Sequence, residues 1–376
     1  MGVLSDVRVL EIGSIGPGPM AALLLAQMGA NVIRIGRHEA GKGKRKAAFD
    51  LLYRGRPLLP LDLKNANDRE KLLDLVDNAD VLIEGFRPGV CERLGIGPED
   101  CLRRNPRLVY GRMTGWGQDG PLSHTAGHDI NYMAIAGALH MIGVRERPVP
   151  PLNLVGDFGG GSLYLAFGIA CALFERSRSG KGQVIDAAIV DGTAALLSLF
   201  HGLMASGEWK DERQANLLDG GNPVYSVYET SDAKHMAVGC LEPQFYQAMI
   251  GILGLDHLVP KPGTHLDPSN WPTLRRELTR IFTSKTRDEW TALFEGSDAC
   301  VSPVLALGEA VTHPHNIARR NLVRIEGVTI PQAAPRFSRS GASTPELSLE
   351  AALAGWKVPG HEARLHPSMP DGKMML

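Results

Sequence analysis

Three short polar spots stand out in this chain because each sets a titratable group in small or apolar sequence: Gly127-His128-Asp129, Gly156-Asp157-Phe158-Gly159 and Leu241-Glu242-Pro243. An imidazole and two carboxyls make an acid/base set. The aspartate would serve one face of a carbon next to a carbonyl and the histidine the other, with the glutamate orienting the imidazole. Such a set inverts that carbon by taking a proton from one side and returning one to the other, while backbone donors hold the enolate between the steps. Each residue also has a plainer reading. Asp157 suits the N-cap of a helix opening at Gly159, His128 a core histidine satisfied by Asp129, and Glu242 an exposed turn.

Two basic spots suggest what carries that carbon. The loop Gly13-Ser14-Ile15-Gly16-Pro17-Gly18-Pro19 resembles a dinucleotide fingerprint but spaces its glycines GxxGxG and inserts two prolines, which cannot donate N–H bonds to a pyrophosphate. Where an NAD site needs an acid after the second strand, the chain has Arg34, Gly36 and Arg37. Arginine there suits the ribose phosphate of NADP or coenzyme A, or else a solvated basic edge. Arg87 and Arg93 flank Pro88-Gly89 just past an apolar strand; they fit a diphosphate, or surface pairs with Glu84 or Glu92.

The elements that must position these residues follow from apolar periodicity. Val7–Ile12, Asn31–Ile35, Leu58–Leu63, Ala79–Ile83, Arg107–Met113 and Val184–Ala188 read as strands, with helices over Met20–Met28, Asp68–Val76 and from Gly159 to about Ser177. The βα alternation predicts an α/β, Rossmann-like large domain with a mainly parallel, doubly wound sheet. Ile189–Ser206 reads as one long helix leaving that domain, and Asp219-Gly220-Gly221 as a turn. Strands Tyr225–Glu229 and His235–Gly239 with helices Gln244–Leu253, Trp271–Thr283 and Arg287–Glu295 predict a small α+β domain. The expected division is 1–186 for the large domain, 187–221 for a linker helix, 222–301 for the small domain and 302–376 for a return linker and C-terminal segment packing back on the large domain.

Composition narrows the partners. Forty Lys+Arg against 41 Asp+Glu leave a net charge of −1, so no global field attracts nucleic acid or an anionic membrane. The five cysteines form no CxxC pair or zinc spacing and are expected to be reduced, with no metal site. Ile12–Ile33 is broken by prolines and glycines, and Phe158–Phe174 opens on a glycine-rich turn, so neither is expected to span a bilayer. Met1–Asp6 lacks the basic and apolar regions of a secretory signal, and a cytoplasmic location is expected.

Long strings carry a resemblance: Met113-Thr114-Gly115-Trp116-Gly117-Gln118, Ala126 through Tyr132, Pro151 through Gly161, Gly180 through Ala187 and Glu242-Pro243-Gln244-Phe245-Tyr246. In these the sequence resembles the α-methylacyl-CoA racemase family, within the family III CoA-transferase superfamily, from Val7 to about Arg339. The resemblance implies C2 epimerisation of a 2-methylacyl-CoA without metal or redox cofactor, CoA entering only as part of the substrate. It implies His128 and Asp157 as the two faces of the proton exchange, Glu242 supporting the histidine from a partner subunit, and Asp129 and Asn153 in the same pocket. It assigns CoA contacts to Ile15, Arg37, Leu61, Asp62, Leu63, Lys64, Leu75, Gly85, Phe86, Arg87, Arg93, Gly127, Ile130, Asn131 and Tyr132, and places Asn222 and Val224 near the acyl pocket. It implies an interlocked homodimer with the active site shared between subunits. The alternatives are a CoA-transferase using Asp157 as covalent nucleophile, or an inactive CoA-binding protein. A transferase needs only the aspartate, so His128 with Glu242 favours the racemase.

Overall fold

The computed structural model describes residues 1–37, 51–256, 263–342 and 348–356. The chain divides into two compact units, one of Met1–Ala136, Leu152–Leu196 and the segment from Arg320, the other of Gly137–Pro151 and Leu197–Arg319. Residues 137–151, expected inside the large domain, thus group with the second unit, and 187–196 stay with the first.

The first unit is built on β1 (Arg8–Ile12), β2 (Asn31–Gly36), β3 (Leu58–Pro60), β4 (Val81–Glu84) and β5 (Val109–Thr114). After a short hairpin of the second unit, β6 (Gly143–Val144) with β7 (Arg147–Pro148), the chain adds β8 (Val184–Ala188) to the first unit's sheet. The strand order is β3-β2-β1-β4-β5-β8, every neighbour parallel. Alternate residues feed two cores. Leu10, Ile33, Leu82 and Tyr110 meet Leu72, Leu75 and Trp356 on one face; Val9, Val32, Val81 and Val109 meet Leu25, Leu165 and Ile169 on the other. Sheets covered on both faces in this way leave the loops at the carboxyl edge for function, and the chain reverses its strand order between β1 and β4.

Local differences from the sequence reading have physical causes. β3 ends at Pro60 rather than Leu63, because the chain turns to give Asn65 as a cap whose side chain accepts from the Asn67 and Asp68 amides, starting the helix Ala66–Val76. The helix expected from Gly159 is preceded by a π-helical stretch, Leu154–Leu163, that runs into the α-helix Tyr164–Ser179. This 26-residue run is long and apolar enough, by length and composition, to cross a membrane; its inner residues Leu165, Ile169 and Ala172 are buried against the sheet. The single helix expected over Ile189–Ser206 is two, Ile189–Leu196 and Ser198–Ala205, broken at Leu197, where the chain passes between units.

The second unit packs an antiparallel sheet, β9 (Tyr225–Glu229), β10 (His235–Gly239) and β11 (Val301–Pro303), on helices Pro243–Leu253, Trp271–Phe282 and Arg287–Phe294. Asn222 and Val224 are fully buried in it: Val224 is in the core, and the Asn222 side chain accepts from the Val224 amide.

Candidate active site

Asp157 lies in the first turn of the π-helical stretch, whose glycines let it sit hard against its neighbours. A Cβ on Gly160 would come within 2.5 Å of Thr193 Oγ1 and 2.7 Å of the Thr193 amide nitrogen, and one on Gly161 within 3.0 Å of Ile189. Gly192 answers from the other side, against the Gly160 carbonyl. The Ser162 hydroxyl donates to the Pro17 carbonyl (2.9 Å) and the Asp157 carbonyl (3.1 Å), tying the stretch to the loop after β1. There Gly16, at φ 71°, faces the Asp157 carboxyl, which lies 3.4 Å from where a Cβ would be.

The Asp157 amide donates to Asp129 Oδ1 at 2.6 Å, and Asn153 Nδ2 reaches Asp157 Oδ2 at 3.5 Å. Asp157 is therefore not the cap of the following helix. Desolvation raises its carboxyl above the ordinary aspartate range, the Asp129 charge raises it further, and the Asn153 contact and the nearby His128 pull it back. His128 is exposed at the N-terminus of the helix Asp129–Ile135, with its amide donating to Asn131 Oδ1 at 3.0 Å. Its ring is not buried on Asp129, so the core-histidine reading does not hold. Tyr132 fixes this segment: it packs edge-on to Trp116 with ring centroids 4.7 Å apart, fills the space a Cβ would need at Gly115 and Gly127, and donates its hydroxyl to the Gly127 carbonyl. Burial raises the Tyr132 phenol, with Asp157 and Arg87 acting on it in opposite directions.

The carboxyl edge of the sheet also gathers the basic residues. Arg37 follows β2 and pairs loosely with Asp62 (3.6 Å), both largely exposed. Arg34 is instead used in packing, its guanidinium 3.9 Å over the Tyr53 ring. Arg87 and Arg93 are exposed, and among the described residues neither forms an ion pair. The expected alternative, pairing with Glu84 or Glu92, is not realised, because Arg112 holds both carboxylates. Ile15, Asp62, Lys64, Ile130 and Asn131 are exposed, and Gly85, Phe86 and Gly127 half-buried. Leu61 and Leu63 point into the core. Leu75 does not face the edge at all; at 1% exposure it packs with Leu72 and Val76, as its position on the apolar helix face requires. The helix after β1 opens at Pro17, and with Pro17 and Pro19 its first turn lacks two of the donors a pyrophosphate would use. His38 and the basic stretch following it lie outside the described residues.

The sequence reading missed two buried ion pairs under this edge. Glu11 and Arg56 meet at 2.8 Å with both side chains inaccessible, and Arg56 also donates to the Pro19 carbonyl (3.0 Å) beneath the glycine loop. Glu84 and Arg112 are the second. Glu242 belongs to the second unit, exposed at the N-cap of Pro243–Leu253; the carbonyl of the preceding Leu241 accepts from the buried His265 at 2.7 Å. Among the described residues no group of three or more His, Cys, Asp or Glu side chains could hold a metal ion.

With this geometry in place, residues 4–351 match the profile of CoA-transferase family III. The chain belongs to that family. It is 44% identical over 342 residues to the α-methylacyl-CoA racemase of Mus musculus, covering 90% of this chain and 88% of that one. It is 44% identical over 338 residues to the α-methylacyl-CoA racemase of Homo sapiens, covering 88% and 86%. Among solved structures, a CAIB/BAIF family protein from Brucella suis superposes with a TM-score of 0.78 at 26% identity, covering 94% of this chain and 98% of that one.

Proposed function

We propose that this family member is a 2-methylacyl-CoA racemase. It epimerises C2 by removing the α-proton on one face and returning a proton on the other through an enolate. The observation that carries the reading is Asp157: a half-buried carboxyl, raised by desolvation and by Asp129, in electrostatic reach of His128 at the carboxyl edge of the sheet. A raised carboxyl is a stronger base once ionised and keeps its proton to higher pH than an ordinary aspartate, which suits a group that must both take and give a proton. His128 serves the opposite face, and Glu242 supports it from the second subunit of a homodimer. Two 44% identical racemases support the same assignment.

The CoA moiety lies along the sheet edge, with Arg87, Arg93 and Arg37 taking its phosphates. Proton exchange asks only for acid/base groups and donors to the enolate oxygen, so the reading needs no metal or redox cofactor. The homodimer is supported by a stripe of exposed apolar side chains on one helical run, Leu163, Phe167 and Phe174, which a second copy would cover. Sedimentation of wild type against Phe167→Asp tests this, with loss of the dimer and of activity expected together. A cytoplasmic site of action is part of the proposal and is checked by fractionation.

The decisive experiment is incubation of a 2-methylacyl-CoA in heavy water with no acceptor acid. Deuterium at C2 is expected; CoA passing to an added free acid instead would establish the transferase, in which Asp157 attacks the thioester.

A further inference from the structure

Arg112 is a charge where the fold alone calls for an apolar residue. It lies in β5, directly across from Glu84 on β4, and its side chain is 9% exposed. Its Nε donates to Glu84 Oε1 at 3.0 Å and Nη1 to Glu92 Oε1 at 2.8 Å, while Nη2 is buried with no hydrogen-bond partner. The other oxygen of Glu84 accepts the Phe86 amide at 2.7 Å. One guanidinium therefore ties three pieces of chain: the end of β4, the loop Gly85–Gly89 through Glu84, and the short helix Val90–Leu94 through Glu92. Those last two carry Arg87 and Arg93. The Arg93 guanidinium lies against Gly89, 3.2 Å from where a Cβ would be, at a φ of 79°.

Buried ion pairs cost desolvation and are often no more stable than apolar replacements, so their retention asks for another reason. The two carboxylates nearest in sequence to Arg87 and Arg93 are the two that Arg112 engages. With them held, the exposed guanidiniums are kept in place and left uncompensated, as a site for anions needs. We propose that Arg112 is a positioning residue for the phosphate-binding arginines of this enzyme, acting through Glu84 and Glu92; this rests on the reading that Arg87 and Arg93 take the CoA phosphates.

The test compares a 2-methylacyl-CoA with the same acyl group on pantetheine, which lacks the nucleotide and its phosphates, measuring C2 exchange in heavy water. Wild type should show a much lower KM for the CoA ester. Equal KM values would overturn the phosphate reading itself and this proposal with it. Given that preference, Arg112→Met should raise KM for the CoA ester about tenfold, with kcat and the pantetheine KM held, and Arg112→Lys should fall between. Adding Arg112→Met to an Arg87→Met/Arg93→Met background should change nothing further. If Arg112→Met does not fold, Glu92→Gln, at an exposed side chain, should still raise the CoA KM about threefold and leave the pantetheine KM alone. Equal effects on the two esters, or a fall in kcat alone, would overturn the proposal, since a merely structural residue does not distinguish them.

Discussion

Glu84 and Asp157 are two carboxyls near the same sheet edge, both pushed up by burial, yet their surroundings differ. Glu84 is closed in by Arg112 and the Phe86 amide. Among the described residues the Asp157 carboxyl has one side-chain hydrogen-bond partner, Asn153 at a long 3.5 Å, and a second carboxylate that worsens its charge. Raised acidity alone does not separate structure from chemistry. The separation comes from what answers the charge: a carboxylate with a guanidinium and an amide is a fastener, and one left with a repulsive neighbour is held ready to change protonation.

That contrast can be broken in four ways. Glu84→Gln leaves the buried Arg112 with only the half-exposed Glu92 as counter-charge and should cost about 3 kcal/mol in urea denaturation, the low end for a broken buried pair; an unchanged midpoint would erase the distinction. Asp157→Asn and His128→Ala should each lower C2 exchange at least about a hundredfold, with little loss of stability. Wild-type exchange in either would remove that residue from the mechanism. Gly160→Ala, which drives a methyl into Thr193, should cost about 1–3 kcal/mol, read as a lower melting temperature, and should displace Asp157 enough to slow exchange.

The smallest effect is on pH dependence. The folded state holds the Asp157 proton more tightly than the unfolded chain, so between the ordinary aspartate range and the raised folded value the native form binds more protons, and wild-type stability falls as pH rises. Asp157→Asn lacks this loss: the two proteins should melt together at the acid end, with the variant pulling ahead as pH rises through the folded value. The acid limb of kcat in wild type should lie above the ordinary carboxylate range. A constant melting difference across that span would contradict the raised carboxyl.

The alternation in Val7–Ile12 and Asn31–Ile35 made the parallel sheet legible, because period-two apolar residues between helices admit few other folds. His128 and Asp157, the residues proposed for proton transfer, were legible as titratable groups beside glycines. Other features were not. Arg112 sits in a strand where its charge reads as the outward half of an alternation, and only the covering of both sheet faces reveals it as buried. Leu75 shares an apolar helix face with Leu72 and Val76, and that periodicity overrides its expected ligand contact. The glycines at 156, 159, 160 and 161 signalled a loop or a helix start; the use of Gly160 in a widened helix depends on Gly192 and Thr193, more than thirty residues on, which no local pattern links to it.

Where two stretches of main chain touch with no side chains between them, as at Gly160 and Gly192, their spacing behaves like a machined gauge rather than an adjustable fitting. Repacking with larger or smaller side chains cannot shim it, so the Asp157 carboxyl keeps one depth through sequence drift elsewhere. Any change in which acyl groups are accepted must then come from surfaces free to vary, leaving the chemical step untouched.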